Sequence, residues 1–280
     1  MIAPNSMLFA VFGQPISHSR SPQIHAAFAQ QFGIALDYRR IKCDSDDFAE
    51  RLSAFAADGG RGANLTLPLK EIAASLCSEV TVRAQRAGSV NTLSYRDGTW
   101  IGDSTDGEGL LADLIDRHDV TLTGTRVLII GAGGAARAAA AALIDRGIDE
   151  LTVANRSLDR AQRLCAEIDR LGRSIACSLD ALENHGAADL LINATSAGHG
   201  GGHPALPANL IGEDTVVYDL SYGQAAQPFL CWAKNTGAAR TIDGLGMLVE
   251  QAAASFAIWH GHRPTTEPVY LEQRALLDSP

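Results

Sequence analysis

Short apolar runs alternate with longer segments of helical period along most of the chain, which predicts an α/β protein. Residues 8–12 make a first strand, and a polar loop over 13–22 runs into a helix with Ile24, Ala27, Phe28 and Phe32 on its inner face. A second strand is expected over 36–41 and a helix over 46–57, ending at Gly59 and Gly60. Over 63–67, Asn64 and Thr66 fall on one face and Leu65 and Leu67 on the other, the two-residue period of a strand. Pro68 ends it, and Lys70 follows at the start of a short helix. Residues 87–93 and 99–103 predict a hairpin about Asp97 and Gly98, and residues 104–109 open a helix over 110–117.

The run Val127, Leu128, Ile129, Ile130 is short and β-branched enough to be a buried strand. Gly131, Ala132, Gly133, Gly134, Ala135 and Ala136 follow, then an Ala-rich helix through Leu143 and a second apolar run over 151–154. Strand, glycine turn, helix and strand in this order place Gly131, Gly133 and Ala136 in the G-x-G-x-x-G/A spacing of dinucleotide sites. A pyrophosphate would rest on the free N–H groups at the helix start. NAD sites tend to carry Asp or Glu at the end of the second strand. Here that place holds Asn155, Arg156 and Ser157, with Arg160 one turn on. Two guanidiniums and a hydroxyl suit a 2′-phosphate, so the expected cofactor is NADP; the plain alternative is a pair of solvated arginines. A helix over 161–171 and strands over 174–177, 189–194 and 215–220 continue the pattern. A last helix over 247–260 has Leu248, Ala252, Ser255, Phe256 and Trp259 on a mostly apolar face.

With 280 residues, the chain can hold two domains, about 120 residues preceding the glycine turn. Hydrophobic residues make up 46% and charged residues 20%, as in an ordinary globular protein. The net charge of -9 argues against a nucleic-acid partner or an anionic membrane. Five scattered cysteines without a C-x-x-C pair read as reduced thiols, and no signal or membrane segment is evident, so a cytoplasmic location is expected.

Several polar residues stand where ligands bind. Ser21 before Pro22 reads as a helix N-cap, but Ser19 beside it has no such role, and two hydroxyls could grip a carboxylate. Thr105 with Glu108 fits a capping box, leaving Asp106 as an ordinary helix-start carboxylate, and a lone Lys70 is ordinarily solvated. Thr195 and Ser196 end one strand and would line the nicotinamide side of a cleft; Gln251 reads as a half-buried amide. Tyr38 and Lys42 share the Y-x-x-x-K spacing of short-chain dehydrogenases, but a strand would hold them about 13 Å apart. His199 and His203 bracket a glycine loop without neighbouring acids, so no metal is expected.

The loops taken together resemble shikimate dehydrogenase. They are residues 13–22, 64–70, 87–92, 102–107, 131–136, 155–157 with Arg160, 193–196 and 243–248, in that family's order. The resemblance implies a substrate domain over 1–106, a Rossmann-like NADP-binding domain over 107–243, and C-terminal helices over 244–280 that return to the first domain. It implies Lys70 as acid/base with Asp106 beside it. Ser19 and Ser21 would bind the shikimate carboxylate, and Thr66, Asn91, Tyr222 and Gln251 its hydroxyls, with Asn64 in support. Residues 131–135, Asn155, Arg156, Ser157, Arg160, Thr195, Ser196, Leu220 and Gly244 would contact the cofactor. Ser157 replaces a usual Thr, Ser104 a common Asn, and Leu220 a frequent Met. The activity implied is NADPH-dependent interconversion of 3-dehydroshikimate and shikimate by a monomer or homodimer. Its rivals are a quinate or dual-specificity dehydrogenase and an NADP-binding sensor.

Overall fold

The computed structural model describes residues 6–168 and 174–278. Among these, two sheets are present. The first contains β1 (Met7–Gly13), β2 (Leu36–Lys42), β3 (Gly60–Leu65), β4 (Glu79–Val80), β5 (Thr92–Arg96) and β6 (Thr99–Asp103), in the order β2-β1-β3-β5-β6-β4. β1 pairs in parallel with β2 and β3, while β5 runs antiparallel to β3 and β6. The β5–β6 hairpin turns at Asp97 (φ 50°) and Gly98 (φ 82°), the left-handed pair that a two-residue turn demands. The second sheet is parallel throughout: β7 (Arg126–Ile130), β8 (Glu150–Asn155), β9 (Ser174–Ser178), β10 (Leu190–Asn193), β11 (Val216–Asp219) and β12 (Arg240–Asp243), in the order β12-β11-β10-β7-β8-β9. Its central strands are apolar runs because helices cover both faces.

The helices are α1 (Ser21–Gln31), α2 (Phe48–Ala57), α3 (Val82–Ala87), α4 (Asp106–Ala112), α5 (Gly134–Arg146), α6 (Leu158–Ile168), α7 (Gln227–Thr236), α8 (Leu245–His260) and α9 (Glu267–Asp278). The expected extension of the α6 helix to 171 lies outside the described residues. α8 returns from the second sheet to the first, burying Val249, Ala252 and Phe256 against Ile24 and Phe28 of α1. α4 lies between α5 and α8: a methyl on Gly107 would meet the Ala138 carbonyl at 2.8 Å, and one on Gly109 the Met247 carbonyl at 2.8 Å. No helix among the described residues is long and apolar enough to cross a membrane.

Four local expectations fail. α1 begins at Ser21 itself, so Arg20 is its cap residue and no side chain caps it. Thr105 does occupy the cap position of α4, but its hydroxyl bonds Asn91 and Ser255, and Glu108 pairs instead with Arg83 and Arg263. Lys70 sits in a turn, with no helix until the 3-10 segment Ala73–Leu76. Residues 87–91 are not strand: Thr81 caps α3, which ends at Gly88 in the left-handed conformation.

Two carboxyls buried at the second lobe set a pH dependence. Burial raises Asp113 and Asp219 from 3.8 to about 6, against the Tyr218 hydroxyl on one and the Ser221 N–H on the other. Their folded pKa values lie above the unfolded ones, so their contribution to stability is fully present below about pH 4 and is lost as pH rises to about 6. Compared with Asp113→Asn, the wild type should lose on the order of 2 kcal/mol across that window in denaturant titrations. Parallel pH profiles would contradict this.

Candidate active site

Lys70 and Asp106 come from different ends of the first lobe and meet. Lys70 Nζ donates to Asp106 Oδ2 at 2.6 Å, with the two side chains 14% and 4% exposed. The turn bearing Lys70 is fixed by the Val90 N–H, which donates to the Lys70 carbonyl at 2.8 Å. The other Asp106 oxygen accepts from Asn91 Nδ2 at 2.8 Å; the same amide reaches Gln251 Oε1 at 3.2 Å and Thr105 Oγ1 at 2.9 Å. Asn91 Oδ1 accepts from the Thr105 N–H at 2.8 Å and Thr92 Oγ1 at 2.9 Å. The carboxylate is thereby held on one edge by a cation and on the other by an amide whose own orientation is fixed.

A second tier supports this couple. Asn64 Nδ2 donates to Ser255 Oγ at 2.9 Å, and Asn64 Oδ1 accepts from Tyr38 Oη at 2.7 Å. Ser255 Oγ also lies 2.8 Å from Thr92 Oγ1 and 3.1 Å from Thr105 Oγ1. Tyr38 stacks on the buried His25, and burial raises its phenol well above the ordinary tyrosine value. Lys42, four residues on, is exposed, so the Y-x-x-x-K spacing has no counterpart in space. Thr92, Thr105 and Ser255 were not among the expected site residues. Gln251 and Ser255, four apart on a mostly apolar helix, were the available signal. Ser255→Ala should lower unfolding free energy by about 1–3 kcal/mol, because it strips a partner from three buried groups; a midpoint unchanged in urea would contradict the network.

The remaining expected substrate-side residues lie in the segments that follow β1, β3 and β11. Ser19 Oγ donates to Ser21 Oγ at 3.2 Å and accepts from the Ser21 N–H at 3.3 Å, and Arg40 clasps the Ser19 carbonyl at 2.8 Å. The Ser21 hydroxyl faces Tyr38 and lowers its phenol against the larger effect of burial. Thr66 follows β3 and presses on Gly13, where any Cβ would clash with its methyl. Tyr222, after β11, faces Arg20; burial raises its phenol while the Arg20 charge lowers it. His18 is exposed, and His203 packs near Trp232 at 5.7 Å between ring centroids.

The glycine turn forms the opposite wall. Gly131 takes φ 118°, and a Cβ there would lie 2.9 Å from the Ala194 carbonyl. Gly134 starts α5 so close to the first lobe that its Cβ would stand 2.7 Å from Lys70 Cβ and 3.0 Å from Ser89 Oγ. The two lobes therefore meet directly, and the acid/base candidate borders the dinucleotide turn. Gly133, by contrast, faces open space. At the end of β8, Asn155 Nδ2 donates to the Ser157 carbonyl at 3.0 Å, and Arg156, Ser157 and Arg160 are exposed. Thr195 N–H and Oγ1 both donate to Asn193 Oδ1, Ser196 is exposed beside it, and Gly244 lies where a Cβ would be 2.5 Å from the Leu220 carbonyl. A separate cavity of about 570 Å³ between α3, α4 and α5 contains none of the expected site residues.

A parallel sheet with a glycine turn, set against an ammonium–carboxylate couple from a second α/β lobe, defines a nicotinamide-dependent oxidoreductase. Three family models match in chain order: the shikimate dehydrogenase substrate binding domain over 11–93, shikimate / quinate 5-dehydrogenase over 113–200, and the shikimate 5′-dehydrogenase C-terminal domain over 244–270. The chain belongs to the shikimate dehydrogenase family. It is 52% identical over 269 residues to shikimate dehydrogenase (NADP(+)) of Xanthomonas campestris pv. campestris, covering 95% of each chain. Among solved structures it matches an Ael1 enzyme from Pseudomonas putida at 40% identity and TM-score 0.86, covering 95% and 98% of the two chains. It also matches shikimate 5-dehydrogenase of Thermus thermophilus, in complex with NADP(H) and shikimate, at 34% identity and TM-score 0.81, covering 96% and 99%.

Proposed function

We propose that this protein is a shikimate dehydrogenase, catalysing the reversible NADPH-dependent reduction of 3-dehydroshikimate to shikimate in aromatic amino-acid biosynthesis. The observation that carries the reading is the buried Lys70–Asp106 pair bordering the glycine turn. The residues present fit the cofactor: open space in front of Gly133 leaves room for a pyrophosphate, and no carboxylate stands at 155–157, where a 2′-phosphate would be repelled. Gly131, Ala132, Gly133, Gly134 and Ala135 would hold the diphosphate. Asn155, Arg156, Ser157 and Arg160 would hold the 2′-phosphate, and Thr195, Ser196, Leu220 and Gly244 would flank the nicotinamide. Bound NADPH supplies the hydride.

The chain's own residues supply the proton and the position. Ser19 and Ser21 grip the substrate carboxylate, and Thr66, Asn91, Tyr222 and Gln251 bond its ring oxygens. Lys70 as ammonium donates to the developing alkoxide, and in the reverse direction its amine accepts the hydroxyl proton. Asp106 holds Lys70 Nζ in line and accepts from the same hydroxyl. The domains divide at 106/107 and 243/244, the first carrying most of the substrate contacts and the second most of the cofactor contacts, and the location is cytoplasmic. The deciding measurement is reduced-nicotinamide absorbance with shikimate or quinate and NADP or NAD. Shikimate with NADP should have the highest kcat/KM of the four pairs, and no turnover in pure protein would reduce the chain to a cofactor-binding sensor.

A further inference from the structure

We propose that Glu71 tunes cofactor choice by occupying, with its carboxylate, the guanidinium that the 2′-phosphate must take. The inference rests on the assignment of Arg160 to that phosphate. Glu71 follows Lys70 in the turn of the first lobe, yet both its oxygens face the second lobe. Oε1 accepts from Arg160 Nη2 at 3.1 Å, and Oε2 lies 3.7 Å from Arg137 Nε. Arg160 Nη2 also approaches the Ala132 carbonyl in the glycine turn at 3.4 Å, so the guanidinium leans over the cofactor turn toward the first lobe. Arg137 is already paired with Glu167, which leaves Arg160 as the cation whose partner can change.

The pair is built to give way. Arg160 and Glu71 are 49% and 40% exposed, and an ion pair so solvated holds weakly. A phosphate monoester carries nearly two charges and three acceptor oxygens, so it outcompetes one carboxylate for the same fork. Displacing Glu71 still leaves a negative charge beside the phosphate, a penalty that a dinucleotide lacking the phosphate never meets. Glu71 therefore weakens NADP binding selectively, and until the phosphate arrives it ties the Lys70 turn to α5 and α6.

The test is calorimetric titration of the full-length protein with 2′-AMP, NADP and NAD, using Glu71→Gln, Arg160→Leu and the double variant. Glu71→Gln should tighten 2′-AMP and NADP by about three- to fivefold at low salt and leave NAD unchanged, as removal of one partly screened charge implies. That gain should be smaller in the Arg160→Leu background, where competition for the guanidinium is gone and only charge repulsion remains, and it should shrink at high salt. If Glu71→Gln leaves NADP unchanged, weakens it, or tightens NAD equally, while Arg160→Leu still loses NADP selectively, Glu71 has no such role although the phosphate site stands. If Arg160→Leu loses NADP and NAD alike, the phosphate assignment itself is wrong.

Discussion

Lys70→Ala is expected to lower kcat by about 10²- to 10⁴-fold while changing the NADP dissociation constant by no more than about twofold. The ammonium is the one cation bonded to the buried Asp106 among the described residues, and the other donor to that carboxylate, the Asn91 amide, does not give up a proton. Its removal takes away both the proton and the charge that would stabilise the alkoxide. Asn91 still holds the carboxylate, and Gly134 gains space rather than losing it, so the cofactor wall is left intact. Steady-state turnover with equilibrium titration separates the two effects. Retention of more than about a tenth of kcat would exclude Lys70 as the acid/base.

The second large effect is expected at the other end of the cleft. Arg156→Leu with Arg160→Leu should weaken NADP by about 10- to 100-fold and leave NAD within about threefold, since charge-assisted hydrogen bonds are worth about 1.5–3 kcal/mol each. Both arginines lie on the surface past the end of β8, so the fold tolerates their loss. An equal loss for the two dinucleotides would place the 2′-phosphate elsewhere.

The β7–α5–β8 unit was legible because its pattern is local: a β-branched run, a glycine turn and an alanine helix lie within one stretch of sequence. The polar loops were legible as ligand-facing ends of strands for the same reason. What sequence does not display is choice among partners. Thr105 and Glu108 have capping-box spacing, yet Asn91 and Ser255 claim the hydroxyl from 14 and 150 residues away. Ser255 looked like a minor break in an apolar face because the groups it bonds come from β3, β5 and the start of α4. α9 lacks a strong apolar stripe, leaving Leu271 and Leu276 exposed; the Arg274–Asp243 pair and an Arg117–Tyr270 contact at 4.0 Å fasten it instead. α3 and α7 are short, with few buried residues each.

The return of α8 to α1 has a consequence for synthesis. Ile24 and Phe28 leave the ribosome with the first lobe, but the helix that covers them begins about 140 residues after that lobe ends. At ordinary elongation rates the nascent first lobe spends roughly ten to thirty seconds with an open apolar stripe and without Gln251 or Ser255. A chain stalled before α8 should therefore bind chaperones and show no turnover, however well its first sheet has formed.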